Sequence, residues 1–566
     1  MLKKVYRLLS ENKLLITLLI SGCLIWSLTM VKSGLVYDYG MGFWGPNGHD
    51  GIWHIVVING LSNGSLAIPI FAGETIKNYH IGFDILVAII HKLTGIPVVN
   101  LYFQIIPPVL AFFIGFFVYK FVYEWRGSKT QALLAAFFVY FGGGFGWIIT
   151  LIQNRQISGE SLFWGQQSLS TLINPPYALS LIVMMIGLII LIKLMKTPNN
   201  LNLFFLILIF SLLAQVKIYS AVLVLIGLFA TGVWNYFKER KILILMVFVV
   251  TLIVSVIFLI PTYDLRSGGL IFRPFWFLEN LVSDPQRLYW PRMASALANY
   301  KLAGNLVKGS LAYSLVFVIF LLGNFGIRMV ALPWLGKKIL RMKKITNIEI
   351  FVFTIIISGI LLPMVFIQKG NTWNSIQFFY YSLFFMSIVA GIAMGEFLER
   401  KINSAIMNKS LYLLIILVFT VPTLVSTMRH YLPSRPPAMI SKSELHALQF
   451  LNLQPEGVVL TIPYDEVVAE KITSPPKPLY AYVSTAYVSA LSGKTTYLED
   501  EVNLDITGYD WEARKKEILS NLYNLEYLRL RNIKYFYNPN SLLFPPDSGF
   551  NHYIIYNKDN ILIYKI

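Results

Sequence analysis

HIGFDILVAIIHKLTG, residues 80–95, decides the layout of this chain. It is apolar enough to pass for a membrane span, but it has 16 residues where a spanning helix needs about 20. It also carries His80, Asp84, His91 and Lys92. Counting it as a span reverses the sidedness of every later loop. His80, Asp84 and His91 fall near one face at helical spacing, so we read an amphipathic helix lying at the outer membrane interface.

Working outward, eleven stretches do read as spans: near 14–32, 99–119, 131–152, 178–193, 202–215, 218–236, 242–260, 311–327, 348–367, 377–395 and 411–428. With the N-terminus in the cytoplasm, the inner segments are 1–13, 120–130, 193–201, 237–241, 328–347 and 396–410. These hold 21 Lys and Arg in about 74 residues, against 12 in about 157 outer residues before the tail, which is the positive-inside bias. The block Lys337, Lys338, Arg341, Lys343 and Lys344 belongs to this pattern, with an anionic-lipid site as its sharper alternative.

Composition agrees. Across 566 residues, 56% are hydrophobic and 13% charged, where soluble domains carry about 25% charge. Mean hydropathy is +0.61, so lipid must be the solvent for much of the chain. A net charge of +18 would suit nucleic acid, but the basic residues sit in short loops between apolar runs. The partner they indicate is the lipid bilayer, with no nucleic acid. Cys23, the one cysteine, lies in an apolar run, so no disulfide or cysteine-based metal site forms within one chain. Lys3, Lys4, Arg7 and Lys13 precede the apolar run Leu14–Met30, read as an uncleaved first span because no small-residue cleavage site follows.

After residue 430 the character changes. Pro433, Pro436 and Pro437 mark a linker, and Ser441-x-x-Glu444 opens a helix like a capping box. Strands are expected at Val458–Ile462, Lys494–Leu498, Ile533–Tyr537, Tyr553–Tyr556 and Ile561–Tyr564, and a helix at Trp511–Tyr523. The expectation is an all-α polytopic membrane domain over 1–430, with about 11 transmembrane helices and long outer loops 33–98, 153–177 and 261–310. A small extracytoplasmic α/β domain follows over 431–566. An odd number of spans makes this a multi-pass protein of the cytoplasmic membrane, with the N-terminus cytoplasmic and the C-terminal domain extracytoplasmic.

Long outer loops are usually functional. The first holds Gly48-His49-Asp50-Gly51-Ile52-Trp53-His54, where an apolar run after Asp50 starts a helix. Asp50 and His54 then lie one turn apart. A carboxylate beside an imidazole makes a general base or half of a metal site. The plainer alternative is an Asp N-cap with a wet-face His. A divalent metal such as Mg or Mn has Asp50, His49 and His54 as candidate ligands, with His80, His91, Asp38 and Asp84 nearby in sequence, in spacings that match no specific site. P-loop, Rossmann and HExxH motifs are absent.

An apolar first span, an acid in the first outer loop and a helix starting with aromatics resemble the GT-C superfamily of membrane glycosyltransferases. Its members include protein O-mannosyltransferases, the lipid A aminoarabinose transferase and oligosaccharyltransferases. The resemblance implies inverting transfer of a sugar from a polyprenyl-phosphate-linked donor to an envelope lipid, glycan or protein acceptor on the outer face. It gives the catalytic acid to Asp50, where relatives often have two adjacent acids and this chain has His49-Asp50. It gives a second acid to Glu160, the one acid of loop 153–177, whose ordinary reading is a solvated loop carboxylate. A carrier phosphate needs cations. Lys217, in Gln215-Val216-Lys217-Ile218-Tyr219, interrupts an apolar stretch where an intramembrane charge marks function, or else caps a tight hairpin and snorkels. Arg266 and Arg273 suit bidentate phosphate contact. Lys369 lies in another short outer loop, and His80 joins them as a substrate contact. A transporter, or an envelope scaffold without catalysis, are the rival classes. The transporter predicts polar residues at depth in several spans.

Overall fold

The computed structural model of the chain describes residues 13–264, 269–400 and 406–566, and over 406–413 the backbone alone. Lys3, Lys4, Arg7 and Arg266 lie outside the described residues.

Every expected apolar run is a helix, but length separates them. Among the described residues, eight helices are long and apolar enough to cross a membrane, or nine if Lys129–Phe141 and Gly146–Asn154, bent by 41°, count as one. Two shorter apolar helices, Asn200–Val216 and Leu243–Leu259, take the remaining runs. The expected eleven spans are therefore eight or nine by length. Lys217 shows why: it adopts an extended backbone (φ −162°, ψ 108°) that ends one helix and starts the next. The chain is a multi-pass membrane protein. Residues 80–95 contain the helix Gly82–Thr94, closed by Gly95 at φ 70°. At about 1.5 Å per residue it is too short for a bilayer core of about 30 Å. His80 precedes that helix, so the three-residue polar face expected there is reduced to Asp84 and His91.

The chain divides into two compact units. One comprises Met1–Ser27, Pro108–Ile260 and Gly268–His430; the other comprises Leu28–Pro107, Pro261–Ser267 and Tyr431–Ile566. In the first, Gln377–Arg400 is the central helix, with 89% of its apolar window buried. Gly391 and Gly395 let Lys129–Phe141 approach: a Cβ on Gly391 would stand 2.2 Å from the Ala135 nitrogen. Small residues at such crossings are what membrane helices use to pack closely.

In the second unit, the first loop and the tail share a sheet. Its strands run in the order Val36–Tyr37, Gly40–Phe43, Ala438–Ile440 and Lys477–Pro478, with Met41 opposite Ile440 in an antiparallel pair. Gly40, at φ 128°, lets the two backbones meet; a Cβ there would lie 2.1 Å from the Ile440 carbonyl oxygen. A second sheet orders Val458–Thr461, Ile533–Asn538, Ile561–Lys565 and Ile554–Lys558. Lys494–Leu498 is not a strand. Thr496 makes one isolated bridge to Val459, and its N–H donates to Pro69 of the first loop instead.

The expected capping box is half formed. Ser441 accepts from the Glu444 N–H, but the Glu444 carboxylate turns inward and accepts from the Tyr537 hydroxyl at 2.9 Å. Burial pushes that carboxyl up from its ordinary 4.5 to about 7. Between these values the unfolded chain has released a proton that the folded chain keeps, so stability falls as pH rises from about 4.5 to about 7, by at most about 1.4 kcal/mol per pH unit. Glu444→Gln keeps the acceptor and removes the dependence. The fall in melting temperature of detergent-purified protein between pH 5 and 7.5 should shrink in the variant. An undiminished fall counts against this account.

Candidate active site

Helix Asp50–Ser62 begins at Asp50, whose charge favours the positive end of the helix dipole. Asp50 is not the N-cap; His49 is, without a side-chain cap bond. The His49 ring instead joins two carboxylates. Its Nδ1 lies 2.7 Å from Asp50 Oδ1, and its Nε2 lies 3.3 Å from Asp500 Oδ1 in the tail. Burial alone would lower the His49 pKa; Asp500 and Asp50 outweigh it and push it to about 10. His49 is therefore an imidazolium at neutral pH. The Asp50 side chain keeps 54% of its surface exposed, while that of Asp500 has none.

The expected Asp50–His54 pair does not form. His54 Nδ1 lies 2.7 Å from Asp84 Oδ1, both side chains are buried, and the imidazole stacks on Tyr102. Spacing put His54 one turn from Asp50, but the buried face of that helix meets Gly82–Thr94, so the ring finds the carboxylate there. His80 is buried and stacked on Tyr79, with ring centroids 4.8 Å apart. Among the described residues, no group of three or more His, Cys, Asp or Glu is arranged to hold a metal ion.

Glu160 belongs to the first unit. It is buried, not solvated. One oxygen accepts from the Gln167 N–H and the Ser170 hydroxyl, each at 2.8 Å, and the other accepts from Thr427. Burial raises its pKa by more than these donors lower it. The Gln167 side chain then accepts from Arg328 at 2.9 Å. Arg328 also donates to Ser387 Oγ at 2.7 Å, the Gly142 carbonyl at 2.8 Å and Ser168 Oγ at 2.9 Å. This corrects the reading of Arg328 as a cytoplasmic loop charge. It is 1% exposed and bonded to Gln167 and Ser168 of the expected outer stretch 153–177. Buried polar groups of the first unit thus form one hydrogen-bonded cluster.

Three of the expected phosphate cations, Lys217, Arg273 and Lys369, lie on or near a short ribbon. Leu270–Phe272 pairs antiparallel with Phe366–Gln368. Lys369 continues one strand, its N–H donating to the Gly269 carbonyl; Arg273 continues the other, its N–H donating to Val365. Both side chains are exposed. Gln368 accepts from the Tyr219 hydroxyl at 2.5 Å, and the buried Lys217 has its Nζ 5.6 Å from the Tyr219 ring centre. Arg273 and Lys369 stand at opposite ends of the ribbon, four residues or roughly 13 Å apart along the strands.

Three residues escaped the sequence reading. Asp500 sits in Leu498-Glu499-Asp500-Glu501, whose acids followed by Asn503 mark a helix start. Arg328 was hidden inside a basic segment. Arg287, over the Trp164 ring at 3.9 Å and donating to the Ser161 carbonyl at 2.7 Å, carried no distinguishing signal.

No family model matches the sequence, and no curated protein does. The structure is similar to the crystal structure of the Archaeoglobus fulgidus oligosaccharyltransferase in the apo form, with a TM-score of 0.52 at 12% identity over 92% of this chain and 69% of that one. The fold is GT-C-like. ArnT from Cupriavidus metallidurans aligns over 97% of both chains at 10% identity, but its TM-score of 0.38 is too low to bear an argument. At such identities the GT-C-like fold, and no residue's role, is what the likeness carries.

Proposed function

We propose that the chain is an integral membrane glycosyltransferase, moving a sugar from a polyprenyl-phosphate-linked donor to an envelope acceptor on the outer face of the membrane. The observation that carries the reading is Asp50: an exposed carboxylate at a helix start, held by His49, in the first loop of a GT-C-like fold. A hydroxyl acceptor is a poor nucleophile until its proton is taken. Asp50 takes that proton as the acceptor oxygen attacks the anomeric carbon. The bond from that carbon to the phosphate oxygen breaks, its electron pair leaves with the polyprenyl phosphate, and the anomeric centre inverts.

Charge develops on the leaving phosphate, which fixed cations stabilise. We assign that role to Lys217, with Arg273 and Lys369 as further contacts; Arg266 and His80 remain candidates by sequence. Glu160, with both oxygens engaged, is assigned to holding its loop in place. Residues 1–430 are proposed as the transferase domain and 431–566 as an extracytoplasmic domain.

The test uses membranes containing the full chain, radiolabelled polyprenyl-phosphate-linked mannose, glucose, galactose and aminoarabinose in turn, and a cell-envelope acceptor fraction. Label should pass to the acceptor with at least one donor. Transfer with none defeats the proposal and favours a transporter or scaffold. With the working donor, Lys217→Gln should raise KM about 10- to 100-fold, the size of a lost bond to a charged group. An unchanged KM removes Lys217 from the phosphate site.

A further inference from the structure

We propose that Asp500 is a positioning residue for sugar transfer: it anchors His49, and His49 holds the Asp50 carboxylate in the orientation that receives the acceptor proton. This rests on the reading of Asp50 as the base, and it makes the tail part of the catalytic apparatus.

The geometry has a fixed end and a working end. Asp500 is fully buried. Its oxygens accept from the Asn503 N–H at 3.1 Å and the Asn503 amide at 2.8 Å, and its backbone sits at φ 55°, a conformation that Asp and Asn tolerate. Asp50 is the exposed end, and His49 lies between them, its Nδ1 hydrogen-bonded to Asp50 and its Nε2 within ion-pair distance of Asp500. An Asp in an exposed first turn would otherwise exchange among rotamers. Productive proton transfer needs the base held within about 0.5 Å of its place.

The backbone is shaped for this contact. Gly48, beside His49, packs so closely on the tail that a Cβ would lie 2.9 Å from the Ala438 Cβ and 3.3 Å from the Tyr482 ring. Gly45, at φ 58°, turns the chain over Tyr431. The shared sheet of Gly40–Phe43 and Ala438–Ile440 holds the same turn from its other side.

Asp500 also caps the helix Glu501–Thr507, so a purely structural role is the competing account. Asp500→Asn separates the two. Asn fits the same backbone and caps helices equally well, but it loses the charge that grips the imidazole. In full-length protein in membranes, using the donor that supports turnover, D500N should lower kcat about 10-fold with KM and melting temperature unchanged. His49→Gln should lower kcat at least as much. The double variant H49Q/D500N should be no slower than H49Q, because the two residues act in one chain. Asp500→Glu should recover part of the D500N loss.

Multiplying losses in the double variant, or an unchanged kcat in D500N, would overturn the assignment. If D500N does not fold, Asp500→Gly, which suits a positive φ, takes its place in the cycle. Failure of both to fold makes the role structural and also overturns it. Asp50→Asn keeps the two readings apart. Full transfer by D50N defeats the base itself, whereas a dead D50N with an intact D500N defeats only the positioning role.

Discussion

Asp50→Asn abolishes transfer: kcat falls by about 10²–10⁴, the range that a positioned general base supplies. The amide is the same size and can still accept from His49, so the turn keeps its shape. What it loses is the lone pair that accepts a proton near neutral pH. The folding cost is small. A charge in a first helical turn contributes about 0.3–1 kcal/mol at an exposed site, and this side chain is 54% exposed. Expression and melting temperature should therefore match the parent, and donor KM should stay within about twofold, since the base acts on the acceptor. Asp50→Glu, with the carboxylate displaced by one methylene, should retain a measurable fraction of the rate. Transfer by D50N at the parental rate would remove Asp50 from the chemistry. Loss of transfer together with loss of folded protein would show that the carboxylate serves the fold.

Arg328→Leu has the largest expected effect on stability. The guanidinium is 1% exposed and ties Gln167, Ser168, Ser387 and the Gly142 carbonyl together. A leucine leaves these acceptors without donors in an interior that water does not reach, and each such group costs about 1–3 kcal/mol. Some regain partners, as membrane interiors allow, so a net loss of about 3–5 kcal/mol is expected, comparable to breaking a buried charge pair. The variant should accumulate poorly and melt well below the parent in detergent. Arg328→Lys should fall between them, because an ammonium supplies donors without the planar fork. Equal melting of R328L and the parent would refute the account of this cluster. The network also reaches Glu160 through Gln167, so R328L should loosen loop 157–170 and raise its susceptibility to protease before global unfolding.

The eleven apolar runs, the short helix after His80 and four of the tail strands were legible because each is a local property: enough apolar side chains, or an alternating few, in one stretch. The exposed acid of the first loop was legible for the same reason, since it stands at a helix start that its own neighbours create. Partners were not. His54 lies four residues from Asp50, yet it bonds to Asp84, 30 positions away. His49 meets Asp500 across some 450 residues, and no spacing rule connects those segments. Glu160 read as a second catalytic acid or a solvated loop carboxylate, and Arg328 as a cytoplasmic charge, because a single sequence does not show which loop folds back among the helices. The sequence by itself determined a membrane chain with an acid-bearing first loop and a structured tail. Only the tertiary structure decided that this loop and tail share one sheet and that His49 lies between Asp50 and Asp500. Apolarity and periodicity are written residue by residue, whereas a buried charge takes its partner from whatever the packed chain brings within about 3 Å, and that is settled by the fold.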